Sequence, residues 1–319
     1  MPEREFNIHG KGLDAEEEKK VQRSLRSWYD YGRKPYKKEI EKSEVDLLFI
    51  NKINSFLNQE FKRLGIKQRP ARITPQRFHF LDSESFNEVH GSESDGADVT
   101  GSFYDKRFEI IINADKLTRG QKLRSMLHES IHAVSFRKFW VDTKRKKIEA
   151  SRSGYEVFNQ QDMHEHFRGF DEAVTEKSLQ DMLAEHEDEI RETFGDEIIN
   201  YDKGEYNYYQ RFIDIVDAIV AKIAERNGES KESVWDRFKR GMYRGEMTHL
   251  KEIETIYGKG SLRVLAALES GTRRSLVRDE VIEKLGLFFK TDNEQERNKL
   301  AQEVLNERER LRYDKRTQA

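Results

Sequence analysis

The chain contains no cysteine. That excludes disulfides, thiolate metal ligands and a cysteine nucleophile. Proline is nearly as scarce, four in 319 residues with the last at Pro75, so everything downstream is free of the residue that most disrupts helices. No apolar run is long enough to cross a bilayer. The start, Met1-Pro2-Glu3-Arg4-Glu5-Phe6, lacks the apolar stretch of a signal peptide, and a cytoplasmic protein is expected. Net charge is almost absent too: 58 basic against 60 acidic residues leave −2. The signs are interspersed, which gives no global field to draw in nucleic acid or a membrane surface. With 37% charged and 35% hydrophobic residues, long solvated helices around a limited core are expected. The length allows one large domain or two smaller ones.

Against this background one string carries chemistry: His128-Glu129-Ser130-Ile131-His132, an HExxH motif. Positions i and i+4 share a helix face, so both imidazoles reach one metal ion, with Glu129 beside them to polarise a water and shuttle its proton. The context predicts that helix. Thr118 and Gln121 have the spacing of a capping box, Leu123, Leu127, Ile131 and Val134 follow at helical spacing, and no Pro or Gly occurs from Gln121 to Trp140.

Two histidines do not make a catalytic zinc site, which usually has three protein ligands and an open position. The extended HExxHxxGxxH form is excluded, because Ser135 and Lys138 stand where its Gly and third His belong. Downstream, Gly169-Phe170-Asp171-Glu172-Ala173-Val174-Thr175-Glu176 reads as a second helix start. Glu172 and Glu176 lie four apart on one face; one suits a metal, the other a hydrogen bond from the far nitrogen of a ligand histidine. Rivals for the third ligand are His164, Glu165 and His166 in the connection between the two helices.

The pair HESIH and DEAVTE resembles the gluzincins, the thermolysin-like branch of zinc peptidases, and most of all their small single-domain minigluzincin members. The resemblance covers roughly residues 98–180. It implies one Zn2+ per chain held by His128, His132 and Glu172, Glu129 as general base, and Glu176 as the carboxylate behind a ligand histidine. Asp171 departs from the family's usual Asn. The resemblance also implies a strand just before the metal helix that forms the upper rim of a cleft and pairs with an extended substrate. Phe108-Glu109-Ile110-Ile111-Ile112-Asn113 is the candidate, with peptide backbone bonds at a sheet edge supplying affinity. An oxyanion donor is expected in the lower half, where the run Tyr201, Tyr206, Tyr208, Tyr209 and Arg211 offers candidates, Tyr208 and Tyr209 foremost.

The rest of the chain reads as follows. Residues 1–41 form a charged arm with a short helix over Asp14–Ser27 and clustered Trp28, Tyr29, Tyr31 and Tyr36. Val45–Leu64 is an amphipathic helix ended by Gly65, and Arg77–Leu81 a first strand. A hairpin follows from Asp98 to Asn113 about a turn at Asp105–Arg107. Beyond the metal motifs nearly everything is helix: Glu172–Thr193, Tyr206–Asn227, Lys231–Arg244, Thr248–Ile256, Leu262–Leu268, Val277–Leu285 and Asn293–Arg312. Gly258-Lys259-Gly260-Ser261 does not meet the phosphate-loop pattern. The expected architecture is α+β: a zincin-like core at 42–228, built of a small twisted sheet and the HExxH helix, with a helical extension at 229–319. The expected activity is zinc-dependent hydrolysis of a peptide or protein. The alternative is a peptidase-fold protein that binds or regulates a partner without turnover. An intact Glu129 argues for the first, since a binding module needs no base beside two histidines.

Overall fold

Polar caps and alternating burial set the elements of this protein. The computed structural model describes residues 6–31, 36, 38–68, 70–90, 100–104, 108–159, 164–196, 207–268 and 279–317. It divides into two units, Met1–Ser153 with Ser178–Asp202, and Gly154–Lys177 with Lys203–Ala319. Both helices and small mixed sheets are present.

The first unit runs β1 (Asn7–Lys11), α1 (Ala15–Tyr31), β2 (Glu39–Ile40), α2 (Glu44–Arg63), β3 (Phe78–Leu81), α3 (Ser83–His90), β4 (Gly101–Tyr104), β5 (Glu109–Asn113), α4 (Arg119–Val134), β6 (Arg137–Asp142) and β7 (Lys147–Ser153). One sheet has the order β2-β3-β5-β4. β3 and β5 are parallel, Phe78 opposite Ile110, while β4 and β5 are antiparallel, Gly101 opposite Ile112. Alternation puts Phe78, Phe80, Ile110 and Ile112 on the face that α4 covers, with Lys122 of α4 over the Phe80 ring. The other face carries Leu81 and Ile111, packed with Phe86 of α3. These side chains are fully buried, each contributing about 1.5–3 kcal/mol relative to exposure.

Elsewhere in this unit β6 pairs with β1 in parallel and with β7 antiparallel. The helix predicted around the HExxH motif ends at Val134, the last residue of its apolar spacing. Ser135 turns extended, and Arg137, Phe139 and Val141 are buried in alternation with half-buried neighbours. That is a strand period that the absence of Pro and Gly conceals. The N-terminal segment is likewise more than an arm: β1 is laid against β6 along its whole length.

The second unit begins with the antiparallel pair β8 (Glu156–Asn159) and β9 (His164–His166). Next comes α5 (Arg168–Glu185), which starts in the second unit and ends in the first, where α6 (Glu187–Phe194) follows. The helix expected over Glu172–Thr193 is thus two, broken at His186. The second unit continues with α7 (Asn207–Asn227), α8 (Lys231–Arg244), α9 (Leu250–Tyr257), α10 (Ser261–Leu265), α11 (Asp279–Lys290) and α12 (Glu294–Thr317). α7 packs on α8, α9 and α11, and α11 on α12. The boundary expected at 228/229 thus falls inside this unit, between α7 and α8. Ser230 caps α8, and Gly245 ends it in the left-handed region. Among the described residues no helix is long and apolar enough to cross a membrane.

Candidate metal centre

The site starts from the cap of α4. Thr118 Oγ1 accepts from the Gln121 N–H at 3.3 Å, and Gln121 Oε1 accepts from the Thr118 N–H at 2.9 Å, which satisfies two donors at the helix start. Leu123, Leu127 and Ile131 are fully buried and fix the roll of the helix. His128 and His132 are left half-buried, one turn apart. Their Nε2 atoms approach to 3.2 Å, with ring centroids 4.9 Å apart. Two nitrogens on one tetrahedral ion, each bonded at about 2.0–2.1 Å, would stand roughly 3.3 Å apart. The pair has the spacing of two ligands to one ion.

A carboxylate completes the donor set. One ligand atom from each of His128, His132 and Glu172 lies within 4.8 Å of the others, and among the described residues no other three His, Cys, Asp or Glu side chains converge in this way. Two imidazoles and one carboxylate, all half-buried, are a donor set that suits zinc. Glu129 is 8% exposed and lies against β4. A Cβ added at Gly101 would come 3.2 Å from its Cγ and 3.4 Å from its Oε1.

The start of α5, which carries Glu172, is fixed by contacts within its own unit. The Asp171 carboxylate, 2% exposed, accepts from the Tyr155 N–H at 2.6 Å. Gly154 is left-handed at φ +53°, and a Cβ there would lie 2.2 Å from Asp171 Oδ1. The Gly169 N–H donates to the Leu268 carbonyl at 2.9 Å. Tyr155 is itself fixed: its hydroxyl donates to the Phe238 carbonyl at 2.8 Å and meets His249 Nε2 at 2.7 Å. Asp171, where the gluzincin pattern has Asn, thus anchors backbone. Glu176 follows one turn after Glu172 and is 1% exposed.

The other expected site residues fare differently. β5 is an interior strand, hydrogen-bonded to β3 on one side and β4 on the other. Glu109, Ile110, Ile111, Ile112 and Asn113 therefore have no open edge for a substrate, and Phe108 is buried at the turn into β5 with φ +52°. The sequence showed a hairpin but not that β3 would occupy the outer side of its second strand. Among the described residues the edge strands of this sheet are β2 and β4, and of the two it is β4 that lies beside Glu129, a role its mixed composition did not advertise. Of the oxyanion candidates, Tyr201 and Tyr206 and the side chain of Tyr208 lie outside the described residues. The Tyr209 ring packs edge-on against Phe212, 6.4 Å away on the next turn of α7. Among rival ligands, His166 Nδ1 faces Arg308 Nη2 at 3.0 Å; arginine only donates, so that nitrogen is already accepting. The side chains of His164 and Glu165 lie outside the described residues.

Compared with known proteins, the chain matches no family model, no curated protein and no solved structure.

Proposed function

We propose that this chain is a zinc-dependent peptidase of the gluzincin type with a zincin-like core, holding one zinc through His128, His132 and Glu172. The observation that carries this reading is the convergence of those three side chains, two of them with Nε2 atoms 3.2 Å apart. Bound there, zinc would supply Lewis acidity, polarising a carbonyl and acidifying a coordinated water towards pH ~7. The chain's own residues do the rest. Glu129, recessed against Gly101, takes a proton from the attacking water on its carboxylate and returns it to the leaving amine. The gluzincin resemblance gives buried Glu176 the role of the carboxylate that would accept from the far nitrogen of a ligand imidazole and fix its tautomer. The substrate lies extended along β4, whose position beside Glu129 suits it for pairing with a peptide backbone. Recognition through backbone bonds makes the substrate a peptide or an extended protein segment.

Two measurements test this together. Metal content by mass spectrometry is expected to give about one zinc per chain, lost or much weakened in Glu172→Ala. Turnover of a fluorogenic peptide library is expected from the wild type and not from Glu129→Gln, which keeps its zinc. A folded wild type that takes up no zinc after reconstitution overturns the reading. Zinc binding without turnover would favour the regulatory alternative.

A further inference from the structure

β4 and the metal helix touch at points that advance together along both elements. Ser125 Oγ donates to Thr100 Oγ1, just before β4, at 2.9 Å. One turn on, Glu129 lies against Gly101. Further along, beyond the helix end, the guanidinium of Arg137 lies over the Phe103 ring, 4.2 Å from its centroid. Gly101 and Phe103 share a strand face, being two residues apart.

Arg137 is 8% exposed and has a second attachment. Its Nη1 donates to the Ala133 carbonyl at 2.9 Å, and its Nη2 donates to the carbonyl of His132. These carbonyls belong to the last turn of α4, where a cation is favoured; the His132 carbonyl also accepts from the Ser135 N–H at 3.1 Å, so Arg137 adds a second donor to it. The same planar group therefore caps the turn that carries a proposed ligand and stacks on the strand beside the proposed base. A lysine cannot reproduce both, because it lacks the planar fork and the stacking face. Phe103 in turn meets Phe108 edge-on at 5.7 Å, and Arg77 lies 5.3 Å from the Phe108 ring, which makes the strand's side of the contact stiff.

We propose that Arg137 is a positioning residue of the metal centre: it ties the carbonyl end of the His132 turn to the Phe103 strand, holding ligand, base and peptide-pairing strand in one register. This rests on the reading of the site as a metal centre. An ordinary helix cap would give stability alone. A positioning residue also changes what the site binds.

The test uses the full chain as wild type, Arg137→Lys and Phe103→Leu. Zn2+ is titrated against a chromophoric chelator, and amide hydrogen exchange is followed in the metal-free protein. Arg137→Lys is expected to weaken zinc about tenfold or more, the usual cost of losing a group that orients a ligand. It should also speed exchange in both the last turn of α4 and β4. Phe103→Leu keeps the helix cap and removes the ring, and exchange should again rise in both elements. Arg137→Lys with a lowered Tm but wild-type zinc affinity overturns the proposal, leaving a cap and nothing more. If Arg137→Lys does not fold, Phe103→Leu decides: faster exchange confined to β4 overturns the coupling. A wild type that binds no zinc removes the metal reading and this inference with it. Failure of Arg137's role alone is recognised by a wild type that does bind.

Discussion

Helix α4 begins where its own sequence tells it to begin, whereas α5 begins where distant residues hold it. The first has a reciprocal cap between Thr118 and Gln121, three residues apart, and an apolar stripe that sets its roll. The second has Asp171 on the Tyr155 N–H, sixteen residues back, and Gly169 on the carbonyl of Leu268. Both present proposed ligands. The two histidines of the proposed site stay together as long as one helix persists, whereas the start of α5 that carries Glu172 is held by long-range contacts. The proposed third ligand, Glu172, is therefore the sensitive one.

That contrast can be broken from either side, and the largest effect is expected at the chemistry proposed for Glu129. Glu129→Gln is expected to reduce peptide turnover by about 10²–10⁴-fold, the range for losing a general base, with zinc content unchanged. Next is the anchor of α5. Asp171→Ala removes a charged acceptor and leaves the Tyr155 N–H without one, at about 2–3 kcal/mol together. Chemical denaturation measures the stability loss, and a parallel titration should show weaker zinc. Asp171→Asn keeps an acceptor oxygen and should recover most of both. If Asp171→Ala loses stability while zinc affinity stays at the wild-type value, α5 is not set by this anchor. On the other side stands Thr118→Ala, expected to cost about 1 kcal/mol, the usual worth of an N-cap, with zinc affinity unaltered, because His128 and His132 stay on one turn as long as the helix exists.

The same division between local and distant causes explains how much could be read from the chain. α2, α4, α7 and α8 were legible within a few residues, because caps, apolar spacing and terminal glycines are all local signals. His128, Glu129 and His132 were legible for the same reason, their geometry following from helix periodicity. β6 was not: its alternation of Arg137, Phe139 and Val141 sits directly behind a helix and carries an arginine on the buried side. The roles within the β2–β5 sheet were not legible either. Which strand is interior depends on β3 pairing with β5 across some thirty residues, and five consecutive positions of β5 are buried, a pattern without alternation to orient it. Asp171 was visible as a departure from the gluzincin motif, but its purpose lay in the turn at Gly154, which nothing adjacent predicted.

The smallest expected effect concerns a distant contact remote from the ligands, and it extends the contrast to an ion pair. Glu39 of β2 accepts from Lys42 at 2.9 Å and faces His79 Nδ1 of β3 at 3.0 Å, so it fastens a two-strand edge. Burial pushes the Glu39 carboxyl up, but its hydrogen bonds with His79 and Lys42 outweigh this and hold it below the ordinary glutamate range. The unfolded chain binds that proton more readily, so the pair stabilises the fold above the ordinary glutamate pKa of about 4.3. This contribution is lost as pH falls through the lower folded value. Denaturation midpoints should therefore decline below about pH 4.3 more steeply in the wild type than in Glu39→Gln, which has no proton to gain there. Parallel declines would mean that the clasp is held by the Tyr36 and Phe80 packing around it. In that case this distant contact, unlike the Asp171 anchor, acts through shape alone.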